Sequence, residues 1–371
     1  MRCLILRRII FLFILLGVGT GWFPDGRARA ADAGTAALDG SAASRSVKNI
    51  AYFEAGPYWE FSLLSEKVTD SLKRLNVLDK VRFPESLHVS PGWDSDAAVY
   101  AAEARRLMSD PSVDLIISMG TVATKALLDA NNLRTPIVSI DVADPVGAGI
   151  IDGETGKGAP NLILQYTRDK WQKVFVLFHQ ALPFTRLGVM YHDSPEGRSY
   201  SNVNEAREVA RDRGFTLVEY AKLDKEESLD SCAAGVQDLV GQGIDAFFVS
   251  ALNCFDWTKG DPGKIFDELH RRGIKTLARD GTAQVRKGAL MGLSTLDYAP
   301  LGDYYAGRIA GLLGFVTEPE PAVQAQDNPK ITFNLDTASA LKLDIPLILL
   351  ITADEIFDSS LAPVRNETGT R

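Results

Sequence analysis

Cysteine, histidine and excess positive charge are all scarce in this chain of 371 residues, which has 3 cysteines, 4 histidines and a formal net charge of −8. So few cysteines exclude a disulfide-built scaffold. An acidic balance gives no footing for nucleic acid, whose phosphates need a basic surface. His88, His179, His192 and His270 lie far apart, and none stands in an H-E-x-x-H arrangement. There is no G-x-S-x-G, so the nucleophile elbow of an α/β hydrolase is missing. Gly153-Glu154-Thr155-Gly156-Lys157-Gly158 imitates a phosphate loop. It has Ile151 where the motif needs glycine and Gly158 where it needs serine or threonine. No motif calls for a cofactor or a metal. A charged fraction of 24% with 9% aromatics excludes a largely disordered chain.

Long apolar runs are equally rare, and the one that stands out is at the start. Arg2, Arg7 and Arg8 precede the run from Ile9 to Val18, and Ala28-Arg29-Ala30 follows. That order of basic, apolar and small residues predicts a secretory signal peptide over residues 1–30. The stretch from Ile9 is only about 15 residues, where a spanning helix needs roughly 20. Cleavage near Ala31 takes five arginines and one aspartate with it, so the formal charge moves from −8 to −12. No cysteine stands at the cleavage point to carry a lipid anchor. The expected product is an acidic, soluble periplasmic protein, expected to be a monomer.

Residues 31–47, rich in alanine, glycine and serine, predict a flexible lead-in. From Lys48 a rhythm begins. Ile50 to Phe53, Leu115 to Ile117 and Pro136 to Ile140 read as buried strands, with helices over 95–108 and 122–130. Leu64, Val68, Leu72 and Leu75 mark a further helical face. It restarts with a helix around Trp171 to Phe178 and strands at 187–191, 215–220, 244–249, 274–278 and 290–293. Helices are expected over 201–213 and around Leu229 to Leu239 and Ile265 to Leu269, with a longer one over 299–315. Residues 316–329 read as a Pro/Gln-rich linker, 330–335 as a late strand, and 359–371 as a polar tail. Short continuous apolar strands alternating with amphipathic helices predict an α/β fold of two doubly wound parallel sheets.

Ligands of such sheets bind beyond the carboxyl ends of the strands, and that rule selects the loops to examine. Gly120-Thr121 can present N–H groups and a hydroxyl to a carboxylate, though Thr121 equally suits a plain helix cap. Asp144, Asp280 and Asp297 can each hold an ammonium group. Asp144 before Pro145 also suits a turn, and Asp280 also suits a helix cap. Asn253 can bond either kind of group. Tyr58, Trp59, Tyr200 and Trp257 can cover an apolar side chain or a cation, or simply close the core. Cys232 and Cys254 fall at the same end of one β-α-β unit, where a disulfide at the binding rim and two separate buried thiols both remain open.

Several stretches carry a resemblance: Asp144-Pro145-Val146-Gly147-Ala148-Gly149, Arg186 to Tyr191, Ile244 to Val249, Lys287 to Leu290, Phe333 to Ala338 and Ala353 to Ile356. In order and spacing the chain resembles the periplasmic substrate-binding proteins of ABC transporters, in the family with tryptophan- and other aromatic amino-acid-binding members. The resemblance implies a type I binding-protein fold, two Rossmann-like lobes joined by a multi-segment hinge. It implies a first lobe of 48–165 plus about 297–328 and a second of 166–296 plus about 329–358. It places Thr121, Asp144, Ser199, Asn253 and Asp280 in ligand-facing loops. Leu252 stands where the family carries an acidic residue. The function implied is capture of a small polar or amphiphilic molecule, an amino acid, for an inner-membrane permease and its ATPase. The alternatives are a periplasmic sensing subunit that signals to a membrane kinase, and, from other classes, an exported α/β enzyme or an adhesion protein.

Overall fold

Alternate residues of β1 (Lys48–Glu54) serve opposite cores. Ile50 and Tyr52 face one, Ala51 and Phe53 the other, because successive strand side chains point to opposite sides. A strand apolar on both sides needs cover on both. On one side α1 (Trp59–Arg74) lays down Phe61, Leu64, Val68 and Leu72 at helical spacing. β2 (Val81–Arg82) and β3 (His88–Val89) both pair with β1. α2 (Ala97–Ser109) and α3 (Gly120–Asp129), on either side of β4 (Leu115–Met119), cover the other side through Tyr100, Leu107, Ala123 and Leu127. With β5 (Ile137–Ile140) and β6 (Leu162–Leu164) the order becomes β2-β1-β4-β5-β6, all parallel.

The computed structural model describes residues 47–93, 95–257, 259–294, 298–317 and 330–359. The expected signal peptide, the lead-in up to residue 46, most of the linker, Asp297 and the tail after Ser359 lie outside the described residues. Ser359 itself donates its N–H and hydroxyl to the Asp336 carboxylate.

A second sheet follows. Its elements are α4 (Lys170–Ala181), β7 (Arg186–Met190), α5 (Pro195–Tyr200), α6 (Val203–Arg213), β8 (Thr216–Tyr220), α7 (Leu229–Gly241) and β9 (Ala246–Val249). Next come α8 (Gly263–Arg271), β10 (Lys275–Ala278), α9 (Thr282–Arg286) and β11 (Met291–Ser294). In β9 the same alternation holds: Ala246 and Phe248 enter one core, Phe247 and Val249 the other. Burying each phenylalanine contributes about 1.5–3 kcal/mol, so one strand anchors both faces. The helix expected over 201–213 is α6, and the short α5 precedes it. Pro195, just after the Ser194 cap, starts α5, and Asn202, at φ 53°, separates it from α6.

The chain then returns. α10 (Tyr298–Leu312) places Leu301, Tyr305, Ala306 and Ile309 in the first sheet's core beside Leu64 and Val68. β12 (Lys330–Asn334) pairs antiparallel with β11, and α11 (Leu335–Ala340), α12 (Leu347–Thr352) and β13 (Glu355–Phe357) complete the second sheet's layer. Its order is β13-β12-β11-β10-β9-β7-β8. The path therefore passes between the sheets three times. Close approach of α10 to α1 depends on Gly302, where a Cβ would lie 2.7 Å from the Lys67 carbonyl oxygen. Gly302→Ala is expected to lose about 1–3 kcal/mol of stability in urea unfolding; an unchanged midpoint would show that the two helices part freely.

Candidate functional site

The carboxyl ends of the two sheets meet across a cleft of about 450 Å³. The first sheet contributes four rings, Tyr58 and Phe61 after β1, Trp93, and Tyr100 from α2, together with polar groups that include Asp96, Thr121, Lys125 and Asp141. Phe61 lies across the start of α3 because residue 120 is glycine. Its φ is +79°, and a Cβ there would stand 2.9 Å from the Phe61 Cζ. The second sheet contributes polar groups: Ser199 and Tyr200 on α5, Glu227 after β8, Asn253 after β9 and Arg279 after β10. One wall thus carries a set of rings beside its polar groups and the other is polar, which suits an amphiphilic molecule.

Arg279 is the hub between the sheets and is 5% exposed. Its guanidinium donates to the adjacent Asp280 at 2.7 Å and lies 3.9 Å from Glu60 and 3.8 Å from Asp141, both on the first sheet's side. It also stacks 4.9 Å over the Trp171 ring. Tyr58 donates across the interface to Asp280 at 2.9 Å, and Tyr298 donates to Glu60 at 3.0 Å. Burial opposes the charge on Arg279, but Asp280, Asp141 and Glu60 outweigh it and raise its pKa. Burial likewise pushes Asp141 up to about 6, against the pull of Arg279. Burial, reinforced by Asp141 and Asp280, pushes Glu60 well above the usual carboxylate range. Three carboxyl groups are thus gathered around one guanidinium.

The polar wall has its own framework. Glu227, 4% exposed, accepts from the Asn253 N–H at 2.7 Å and from the Tyr200 hydroxyl. Burial pushes its carboxyl up to about 7, against the lowering effect of both bonds. A Cys232–Cys254 disulfide joins the start of α7 to the loop carrying Asn253, and so ties these segments together behind the cleft. Lys259 completes the bridge between sheets, donating to Asn253 Oδ1 at 2.7 Å and to the Pro57 carbonyl at 3.1 Å.

The sequence family described as ABC transporter substrate binding protein matches residues 92–357. The chain belongs to this family. No curated protein matches it. Solved structures are similar in fold. One is an ABC domain in complex with L-Trp from Streptococcus pneumonia, 20% identical, with a TM-score of 0.64 over 83% of this chain and 100% of that one. A second is the ligand-free, open substrate-binding protein with adhesive properties from Clostridium difficile, 22% identical, with a TM-score of 0.54 over 84% and 99%. A third is a solute-binding protein from Agrobacterium vitis with bound allitol, 16% identical, with a TM-score of 0.51 over 74% and 92%. The fold is that of the type I periplasmic binding proteins. Among the described residues, no helix of this ABC transporter solute-binding protein is long and apolar enough to cross a membrane.

Of the residues singled out by sequence, the binding protein brings Tyr58, Thr121, Ser199, Tyr200 and Asn253 to the cleft. Thr121 is not a cap, because its hydroxyl accepts from the Ala143 N–H at 3.2 Å and pins the loop after β5. Asp280 is not a cap either; Gly281 holds that position, and the carboxylate lies buried beneath Tyr58 and Arg279. Asp144 leaves the cleft. It accepts from Gly147 N–H at 2.7 Å, closing a turn, and lines a second cavity of about 450 Å³. Trp59 packs against the first core, and Trp257 stacks on Phe266 with centroids 5.7 Å apart. Glu60, Asp141, Glu227 and Arg279 were missed. Asp141 and Arg279 stand beside loop residues that drew attention. Glu227 follows a strand whose carboxyl-end loop the same rule would have chosen.

Proposed function

We propose that this chain is a periplasmic binding protein that captures a small amphiphilic solute, an amino acid with an aromatic side chain, and delivers it to an ABC permease. The observation that carries this reading is the mixed lining of the cleft: the rings Tyr58, Phe61, Trp93 and Tyr100 share it with Ser199, Glu227, Asn253 and Arg279. Rings suit an aromatic side chain, and the polar wall suits the groups of an amino acid. The L-Trp complex of the pneumococcal structure is consistent with such a solute. Export follows from the basic, apolar and A-x-A order of residues 1–30.

Capture works by closure. A solute touching both walls favours the arrangement in which Tyr58 reaches Asp280 and Lys259 reaches the Pro57 carbonyl, since only contacts that differ between open and closed forms shift the balance. The test is thermal unfolding of the chain from Ala31 with aromatic amino acids, aliphatic amino acids and sugar alcohols. A ligand at 100 times its Kd adds about 2.7 kcal/mol. A shift with the aromatic set alone is expected. No shift with any aromatic amino acid removes this reading.

A further inference from the structure

Glu227 holds a costly position. It is a buried carboxylate in a turn with φ at +52°, a backbone conformation that a residue with a side chain rarely adopts. A turn needed only to join β8 to α7 would be met more easily by glycine or asparagine. A neutral side chain would also accept from Tyr200 and Asn253 without burying a carboxylate. Its two bonds, from the Tyr200 hydroxyl and the Asn253 N–H, use only part of a carboxylate's acceptor capacity. Next to Tyr200, the Ser199 hydroxyl lines the same cleft, is 9% exposed and has no hydrogen-bond partner. Of the cations near it, Lys259 bonds Asn253 and Pro57 and Arg279 bonds its carboxylates, while Lys225 lines the cleft with its side chain exposed. Among its buried groups this wall therefore offers Glu227 and Ser199, with capacity left for a donor-rich group.

We propose that Glu227, with Ser199 beside it, holds a cationic amine of the solute and makes the cleft select amine-bearing molecules over their deaminated counterparts. This rests on the cleft reading above and deepens it, naming the group that the second sheet recognises. An ammonium offers three donors to these acceptors, and its charge compensates the buried carboxylate.

Calorimetric titration of the wild type and Glu227→Gln with L-tryptophan, tryptamine and 3-(indol-3-yl)propionate tests it. The first two carry the amine and the third lacks it. The wild type is expected to prefer the amines. In Glu227→Gln their Kd should rise about 10–100-fold, while that of the propionate stays level. A carboxylate with only a structural role would weaken all three alike, and that result, or no change at all, overturns the assignment. Should the variant fail to fold, the wild-type ranking decides: tightest binding of the propionate overturns the amine assignment and leaves the cleft reading standing. Binding of none of the three removes the aromatic-solute reading and this assignment with it.

Discussion

Arg279→Met is expected to lose about 3–5 kcal/mol of folding stability, the range for removing one partner of a buried ion pair. The loss arises because Asp280, Asp141 and Glu60 stay buried with no cation among them. Methionine replaces much of the volume over Trp171, so lost packing contributes little. Arg279→Lys should recover part of the loss. An ammonium restores the charge but not the broad stack on Trp171 or two nitrogens directed to different carboxylates. Urea unfolding of the three proteins checks the order wild type, lysine, methionine. A methionine variant with the wild-type midpoint would mean that the buried carboxyl cluster does not depend on the guanidinium.

The second large effect concerns the disulfide. Replacing Cys232 and Cys254 together by serine is expected to cost about 3 kcal/mol, from the chain-entropy account of a loop of this length; the cysteines are 22 residues apart. Both side chains are nearly or fully buried, so the serine hydroxyls add a further penalty unless they find partners. Cys→Ala pairs separate that contribution from the cross-link. Urea unfolding with and without reductant gives the comparison on the unmodified chain. Equal midpoints in both conditions would show that packing alone holds α7 to the Asn253 loop.

Much of the fold was legible because buried parallel strands are short continuous apolar runs, as in Leu115 to Met119 and Ala246 to Val249. What escaped notice was mostly brief. β6 has three residues and α9 five, too few for any period to declare itself. The site was legible in part. Loops beyond strand ends could be chosen in advance, and Tyr58, Ser199, Tyr200 and Asn253 lay in them. That Tyr58 meets Asp280, 222 residues away, depends on how the sheets face each other and leaves no local mark. Glu227 was hidden by its neighbours. Lys222 to Ser228 has the look of a solvated charge run, and only the Asn253 N–H, the Tyr200 hydroxyl and the nearby disulfide bring its carboxylate under the cleft.

The placement of α10 has a consequence for how the chain is made. Leu301, Tyr305 and Ile309 cover the apolar face of α1 and β1, yet they are translated after β7, β8, β9, β10 and β11. The sheet whose strands emerge first is therefore completed only after five strands of the second have been made. Until residue 312 has been synthesised, Leu64 and Val68 lack their covering helix, and no stretch of chain ending at Ser294 contains a finished first core.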